Sequence, residues 1–207
     1  MKVLLVNGSP HKLGCTHTAL QEVATQLHAA GIETEEIWCG AKPIMGCIGC
    51  GKCKENLQCW CDTDGVNEFL TKAPEVDGFV FGTPIHFAGT SGSIKPFMDR
   101  AFCSKMHIYA GKPAAAVVSC RRGGAQGGFE DLNRYFTISN MPIVSSNYWN
   151  EVHGNTPEEV KQDLEGMQTM RQLGQNMAWL LKCIEAGKQQ GINLPEYETK
   201  VRTNFIR

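Results

Sequence analysis

A chain of 207 residues and 22.8 kDa in which 42% of residues are hydrophobic is long enough to bury a full core within a single domain. Its 20 basic and 21 acidic residues leave a net charge of −1 with no long run of either sign, so there is no electrostatic footprint for nucleic acid or for a membrane surface, and partners are expected among small molecules and proteins. The apolar start, residues 1–7, is too short for a signal peptide and no stretch approaches the roughly 18 apolar residues of a membrane span, so a cytoplasmic location is expected, where thiols serve metals or redox chemistry.

Residues 2–6 are a short apolar run ending in Asn7-Gly8-Ser9-Pro10, and residues 16–30 then show helical spacing through Leu20, Val23 and Leu27. This predicts strand, loop, helix. The loop, residues 8–16, sets Ser9, Lys12 and Thr16 among flexible glycines just before a helix N-terminus, where free backbone N–H groups and the helix dipole favour an anion. It is neither a Walker loop nor the Gly-x-Gly-x-x-Gly dinucleotide turn. Residues 32–39 alternate as a second strand after Gly31 closes the helix.

The stretch 43–64 follows, with Cys47, Cys50, Cys53, Cys59 and Cys61. An even spread of ten cysteines would place fewer than one in the fifteen residues from Cys47 to Cys61, so thiolate ligation is the expected cause. In Cys-x2-Cys-x2-Cys three thiols recur every third residue, and Gly46, Gly49 and Gly51 relax the backbone enough to aim them at one region. A fourth ligand comes from Cys59 or Cys61. Three close thiolates plus a fourth suit a [4Fe-4S] cluster, whereas structural zinc more often uses two separated Cys-x2-Cys knuckles or a histidine pair, and no histidine lies in the stretch. Zinc and unligated redox thiols are the alternatives.

Asp64 is placed to cap a short helix carrying Val66, Phe69 and Leu70, and residues 76–82 read as a strand buried on both faces, ended by Thr83-Pro84-Ile85-His86-Phe87. Residues 91–102 read as a helix and 113–119 as a fourth buried strand. A glycine-rich loop, residues 120–128, then leads into a helix at 129–138, and a fifth strand fits 143–148. From Pro157 the apolar spacing predicts one long closing helix to about Gly187, N-capped by Asn155 or Thr156. Residues 191–207 form a polar tail that wraps a surface or a neighbouring subunit, or hangs loose.

Alternation of strands and helices predicts a flavodoxin-like α/β three-layer sandwich over residues 1–190, with the cysteine loop inserted at 43–64. Its five-stranded parallel sheet has order 2-1-3-4-5 and helices on both faces. Ligands in that fold bind outside the carboxyl ends of the strands at the switch point, where three loops are expected to meet: 9–16, 83–89 and 120–124.

On these residues the chain resembles the iron-sulfur flavoproteins within the NADPH-dependent FMN reductase superfamily. Asn7-Gly8-Ser9-Pro10 with Gly14-Cys15-Thr16 is similar to the phosphate loop of that superfamily. Gly82-Thr83-Pro84-Ile85-His86-Phe87 with Ser91-Gly92 and Lys95-Pro96-Phe97-Met98-Asp99-Arg100 is similar to its second flavin loop and the helix after it. The resemblance implies an FMN whose phosphate lies on Ser9, His11, Lys12, Gly14, Cys15 and Thr16, whose ring is lined by Thr83, Pro84, Ile85, His86 and Phe87, and whose pyrimidine side is flanked by Cys120, Arg121, Arg122, Gly123 and Gly124. Cys15, His11 and His86 stand where the superfamily usually has asparagine, arginine and tyrosine. It also implies Cys47, Cys50, Cys53 and Cys59 as cluster ligands, the x5 spacing favouring Cys59 over Cys61.

The implied function is a relay of electrons from ferredoxin or NAD(P)H to a small acceptor such as a quinone, oxygen or peroxide, by a homodimer or homotetramer. No side chain is required as catalytic acid, base or nucleophile. The rivals are an NAD(P)H-dependent quinone, azo or nitro reductase whose cysteines carry no cluster, and a pure electron carrier.

Overall fold

The computed structural model describes residues 1–104 and 106–205, so the last two residues of the expected tail lie outside it. In chain order the elements are β1 (Lys2–Asn7), α1 (Cys15–Ala29), β2 (Glu33–Trp38), a short α2 (Cys53–Asn56), α3 (Val66–Lys72), β3 (Gly78–His86), the two-residue β4 (Gly89–Thr90), α4 (Ile94–Cys103), β5 (Ala114–Cys120), α5 (Ala125–Ile138), β6 (Glu151–His153), α6 (Pro157–Gln162) and α7 (Leu164–Gln189).

The sheet runs β2-β1-β3-β5-β6 with every neighbour parallel, and β4 folds back antiparallel on the end of β3. Strand residues alternate between the two faces. Leu4, Val6, Phe79, Phe81, Ala114 and Ala116 face α3, α4 and α5, while Val3, Leu5, Val80, Ala115 and Val117 face α1 and α7. Burial on both faces explains why the central strands are continuously apolar. The result is the expected flavodoxin-like three-layer sandwich.

Three differences from the sequence reading concern the edge strand, the closing helix and α5. The fifth parallel strand is Glu151–His153, not 143–148. The edge chain pairs with β5 twice: Ala114 N–H donates to Pro142 O (2.9 Å) and Val144 N–H to Ala114 O (2.9 Å), then Val118 N–H donates to Asn150 O (2.9 Å). Between these contacts the polar residues Ser145, Ser146 and Asn147 loop out. Ala116 faces the same edge by strand alternation, and its carbonyl, deprived of a strand partner, accepts from Asn150 Nδ2 at 3.0 Å. Asn150 is 1% exposed.

The predicted closing helix is two helices broken at Asp163. The Asp163 side chain caps α7 by accepting from Gly166 N–H (2.9 Å) and also accepts from His153 N–H (2.7 Å), tying the break to β6. Thr156 caps α6. The apolar spacing ran through the break because it counted Leu164, which is 78% exposed. The third difference is α5, which begins at Ala125 and takes in glycines assigned to the preceding loop. Residues 191–204 form neither helix nor strand, and Leu194 rests on Gly111 of the same chain. Among the described residues no helix is long and apolar enough to cross a membrane.

Replacing Asn150 by alanine should destabilise the protein by about 1–3 kcal/mol, because it strands the buried Ala116 carbonyl. Urea unfolding of Asn150→Ala measures this, and an unchanged midpoint would mean that water reaches the gap.

Candidate functional site

The loop after β1 is held by the Asn7 and Ser9 side chains bonding its backbone. Ser9 N–H donates to Asn7 Oδ1 (3.0 Å), His11 N–H to Ser9 Oγ (3.1 Å), Gly14 N–H to His11 O (3.1 Å) and Asn7 Nδ2 to Lys12 O (3.1 Å). Gly14 precedes α1 with no side-chain cap, and the first turn carries no acidic residue. The leading N–H groups of a fifteen-residue helix are thereby left for an anion. Ser9 and Thr16 are buried at this point, while His11, Lys12 and Leu13 are exposed on the outer rim. Lys12 Nζ lies 5.7 Å from the centre of the Trp38 ring.

Short bonds bring the three expected loops together. Thr16 Oγ1 pairs with Ser119 Oγ at the end of β5 (2.8 Å), Ser91 Oγ donates to Gly8 O (2.6 Å), and Ser91 N–H donates to Thr83 Oγ1 (3.0 Å). The strand expected to end near Thr83 continues to His86 and turns back through Phe87 and Ala88, both left-handed at φ 51° and 61°, into β4. Pro84 and Ile85 are half-buried and His86 is exposed. Phe87 at the tip is fully exposed.

The glycine run after β5 does two jobs. Arg121, Arg122 and Gly123 are exposed, and Gly124, at φ 85°, sets the entry to α5. Gly127 already belongs to the helix, where an added Cβ would stand 2.3 Å from Ala88 O. The hairpin can seat on α5 only because that side chain is missing. Cys120 and Cys15 are both thiols raised by burial. Nearby Glu151 raises Cys120 further against a lowering backbone N–H bond at Arg122. A backbone bond also lowers Cys15, with Glu159 and Glu158 opposing it. His153 Nδ1 is 3.8 Å from Cys120 Sγ, a neighbour that the sequence reading left out.

The cysteine loop leaves the same edge of the sheet: Cys39 N–H donates to Asn7 O (2.9 Å) and Trp38 Nε1 to Ser9 O (2.7 Å). All ten cysteines are free thiols. Cys47, Cys50, Cys53 and Cys59 line one small pocket together with Met45, Ile48, Trp60, Arg100 and Cys103. Cys61 is not in its wall; it is buried, with Sγ 3.4 Å from Thr63 Oγ1. Burial raises the Cys53 thiol, a backbone bond lowers it, and Cys47, Cys59 and Cys50 raise it again as like charges. Among the described residues no three His, Cys, Asp or Glu side chains converge tightly enough for a single metal ion; the thiols stand around a wall.

Two residues here were missed in the sequence. Cys103 ends α4 and enters the pocket beside Cys47; burial, with a hydrogen bond to Cys47, pushes its thiol up to about 11. Arg100 is 2% exposed on the same helix and forms an ion pair with Asp64. The signal for Arg100 was present: it stands three residues after Phe97 on the apolar face of α4, where an unpaired charge could not remain.

The model of the NADPH-dependent FMN reductase family matches residues 1–156. An iron-sulfur flavoprotein of Methanocaldococcus jannaschii is 34% identical over 193 residues, spanning 89% of this chain and 100% of the relative. Among solved structures, RosB with a bound intermediate superposes with a TM-score of 0.69 at 15% identity, covering 100% of this chain and 94% of that one. A WrbA-like flavodoxin from Agrobacterium tumefaciens gives 0.61 at 16% identity, covering 88% of this chain and 97% of that one. At such identities the two structures speak for the fold alone.

The Gly127→Ala variant should lose about 1–3 kcal/mol by overpacking against Ala88. At an ordinary helix position the same change gains up to about 1 kcal/mol. Chemical unfolding gives the sign, and a stabilised variant would mean that the hairpin does not seat on α5.

Proposed function

Because the chain belongs to the NADPH-dependent FMN reductase family, and within it to the iron-sulfur flavoproteins, we propose that this flavin-dependent oxidoreductase joins a [4Fe-4S] cluster to FMN and delivers electrons to a small acceptor such as a quinone, oxygen or peroxide. The observation that carries the cluster is the gathering of Cys47, Cys50, Cys53 and Cys59 around one apolar-walled pocket. Thiolates spaced around a wall are what a multi-iron cluster asks of a protein. Bound FMN exchanges electrons singly or in pairs and an iron-sulfur cluster exchanges them singly, so the pair links one-electron and two-electron partners.

The chain's own residues supply position. The uncapped start of α1 and the loop of Ser9, His11, Lys12, Gly14, Cys15 and Thr16 would hold the phosphate, with the helix dipole favouring its charge. Residues of the hairpin, Thr83 to Phe87, and of the turn from Cys120 to Gly124 would hold the ring and its polar side. Cys59 is favoured as fourth ligand over Cys61, whose thiol faces Thr63 away from the pocket. We take the donor to be a reduced ferredoxin and the working state to be a dimer or tetramer. Exposed Leu13, Phe87, Tyr148 and Trp149 support the latter, as large apolar side chains left uncovered in one chain.

Reduced ferredoxin should reduce the bound FMN rapidly in stopped-flow absorbance, and NADPH slowly or not at all. Cys50→Ala should abolish the ferredoxin route yet leave FMN bound and reducible by dithionite. Rapid reduction by NADPH, undiminished in Cys50→Ala, would instead favour a reductase that works without the cluster.

Cys59→Ala should lose the four-iron visible absorbance while Cys61→Ala keeps it. The reverse result would move the fourth ligand to Cys61.

A further inference from the structure

Arg100 reaches the cysteine loop at four points from a helix packed on the core. Its Nε donates to Cys59 Sγ at 3.3 Å, its Nη2 to Cys61 O at 2.6 Å, and its Nη1 to Met45 O at 3.4 Å and to the Asp64 carboxylate. The contacts run along the loop from Met45, ahead of Cys47, to Asp64, beyond Cys59 and Cys61. The guanidinium carries one hydrogen on Nε, and that hydrogen points at a sulfur. Buried and rigid as a fork, it cannot be replaced in this role by a lysine, whose donors sit on a single flexible nitrogen.

We propose that Arg100 is a positioning residue for the cluster: its Nε–H bond to the Cys59 thiolate stabilises the more electron-rich, reduced state and raises the reduction potential, and its hold on the Cys61 carbonyl keeps the neighbouring thiol out of the ligand set. The inference rests on the cluster reading given above. Its physical basis is that a hydrogen bond to a ligating sulfur stabilises the form carrying more negative charge. Asp64 completes the arrangement by accepting from Nη1, which aims the fork and pairs the buried charge.

The test uses the whole protein, prepared without oxygen and labelled with nitrogen-15 in arginine only. After one-electron reduction of the cluster by dithionite, pulsed EPR of the wild type should show a weak nitrogen-15 coupling, and Arg100→Lys should lose it. The same Arg100→Lys variant should keep its iron and show a reduction equilibrium shifted about tenfold toward the oxidised state, or about 59 mV lower in potential for one electron. Absence of the coupling in the wild type, or an unchanged potential in an iron-replete Arg100→Lys variant, would overturn the inference while leaving the cluster in place. A wild type devoid of iron and sulfide would fell the cluster reading and this inference with it. Where the variant does not fold, the wild-type spectrum decides alone.

Discussion

A buried charge has to be answered, and in this protein the answer organises the functional half of the chain. Arg100 sits at 2% exposure among phenylalanines on α4, and it pairs with the Asp64 carboxylate, whose side chain is 6% exposed. Removing one member of such a pair typically costs about 3–5 kcal/mol, since the other is left buried and uncompensated. Their joining therefore fixes the long, mostly irregular segment between β2 and α3 against the sheet-packed helix. Few apolar anchors do the same work there: Cys39 and Cys61 are buried, and Ile44, Leu57 and Cys59 only partly. A segment so poor in core contacts depends on its polar clamp to have one conformation.

The same helix links the two halves of the site. Its start is set by Ser91, which bonds Gly8 O and Thr83 Oγ1 in the loops after β1 and at the end of β3, and its end supplies Arg100 and Cys103 to the cysteine pocket. Ten helical residues rise about 15 Å, so α4 is a ruler of about that length between the two. Beneath it lies an aromatic floor. Phe69, Phe79, Phe81, Phe97, Phe102, Tyr109 and Phe136 meet edge-on, tilted or stacked, with Phe102 and Tyr109 at 4.6 Å, and the Tyr109 hydroxyl donates to Ala101 O at 2.8 Å. Close-packed rings of this kind resist deformation, which holds the ruler straight.

Much of this was legible in the sequence, for physical reasons that differ by element. The central strands could be read because burial on both faces makes them continuous apolar runs, and the gathering of the cysteines could be read because thiols recurring every third residue are brought to one region. The edge strand was misplaced because pairing there is interrupted and Asn150 replaces a backbone partner by a side chain, an exchange that leaves no periodic trace. The helix break at Asp163 was hidden because the exposed Leu164 carried the apolar spacing across it, while the capping aspartate fell on the polar face. Gly127 looked like loop because glycine usually signals turns; here the missing side chain makes room for the Ala88 carbonyl. Cys103 and Arg100 lie about 40 residues beyond the cysteine cluster, and only the fold brings them to it.

An iron-sulfur cluster and a flavin held by one chain of this fold would be counted together by chemical analysis of the protein purified without oxygen. Iron, acid-labile sulfide and FMN should be found at about four, four and one per chain if Cys47, Cys50, Cys53 and Cys59 hold one cluster and the loop after β1 holds one phosphate. FMN at one per chain with neither iron nor sulfide would contradict the cluster reading.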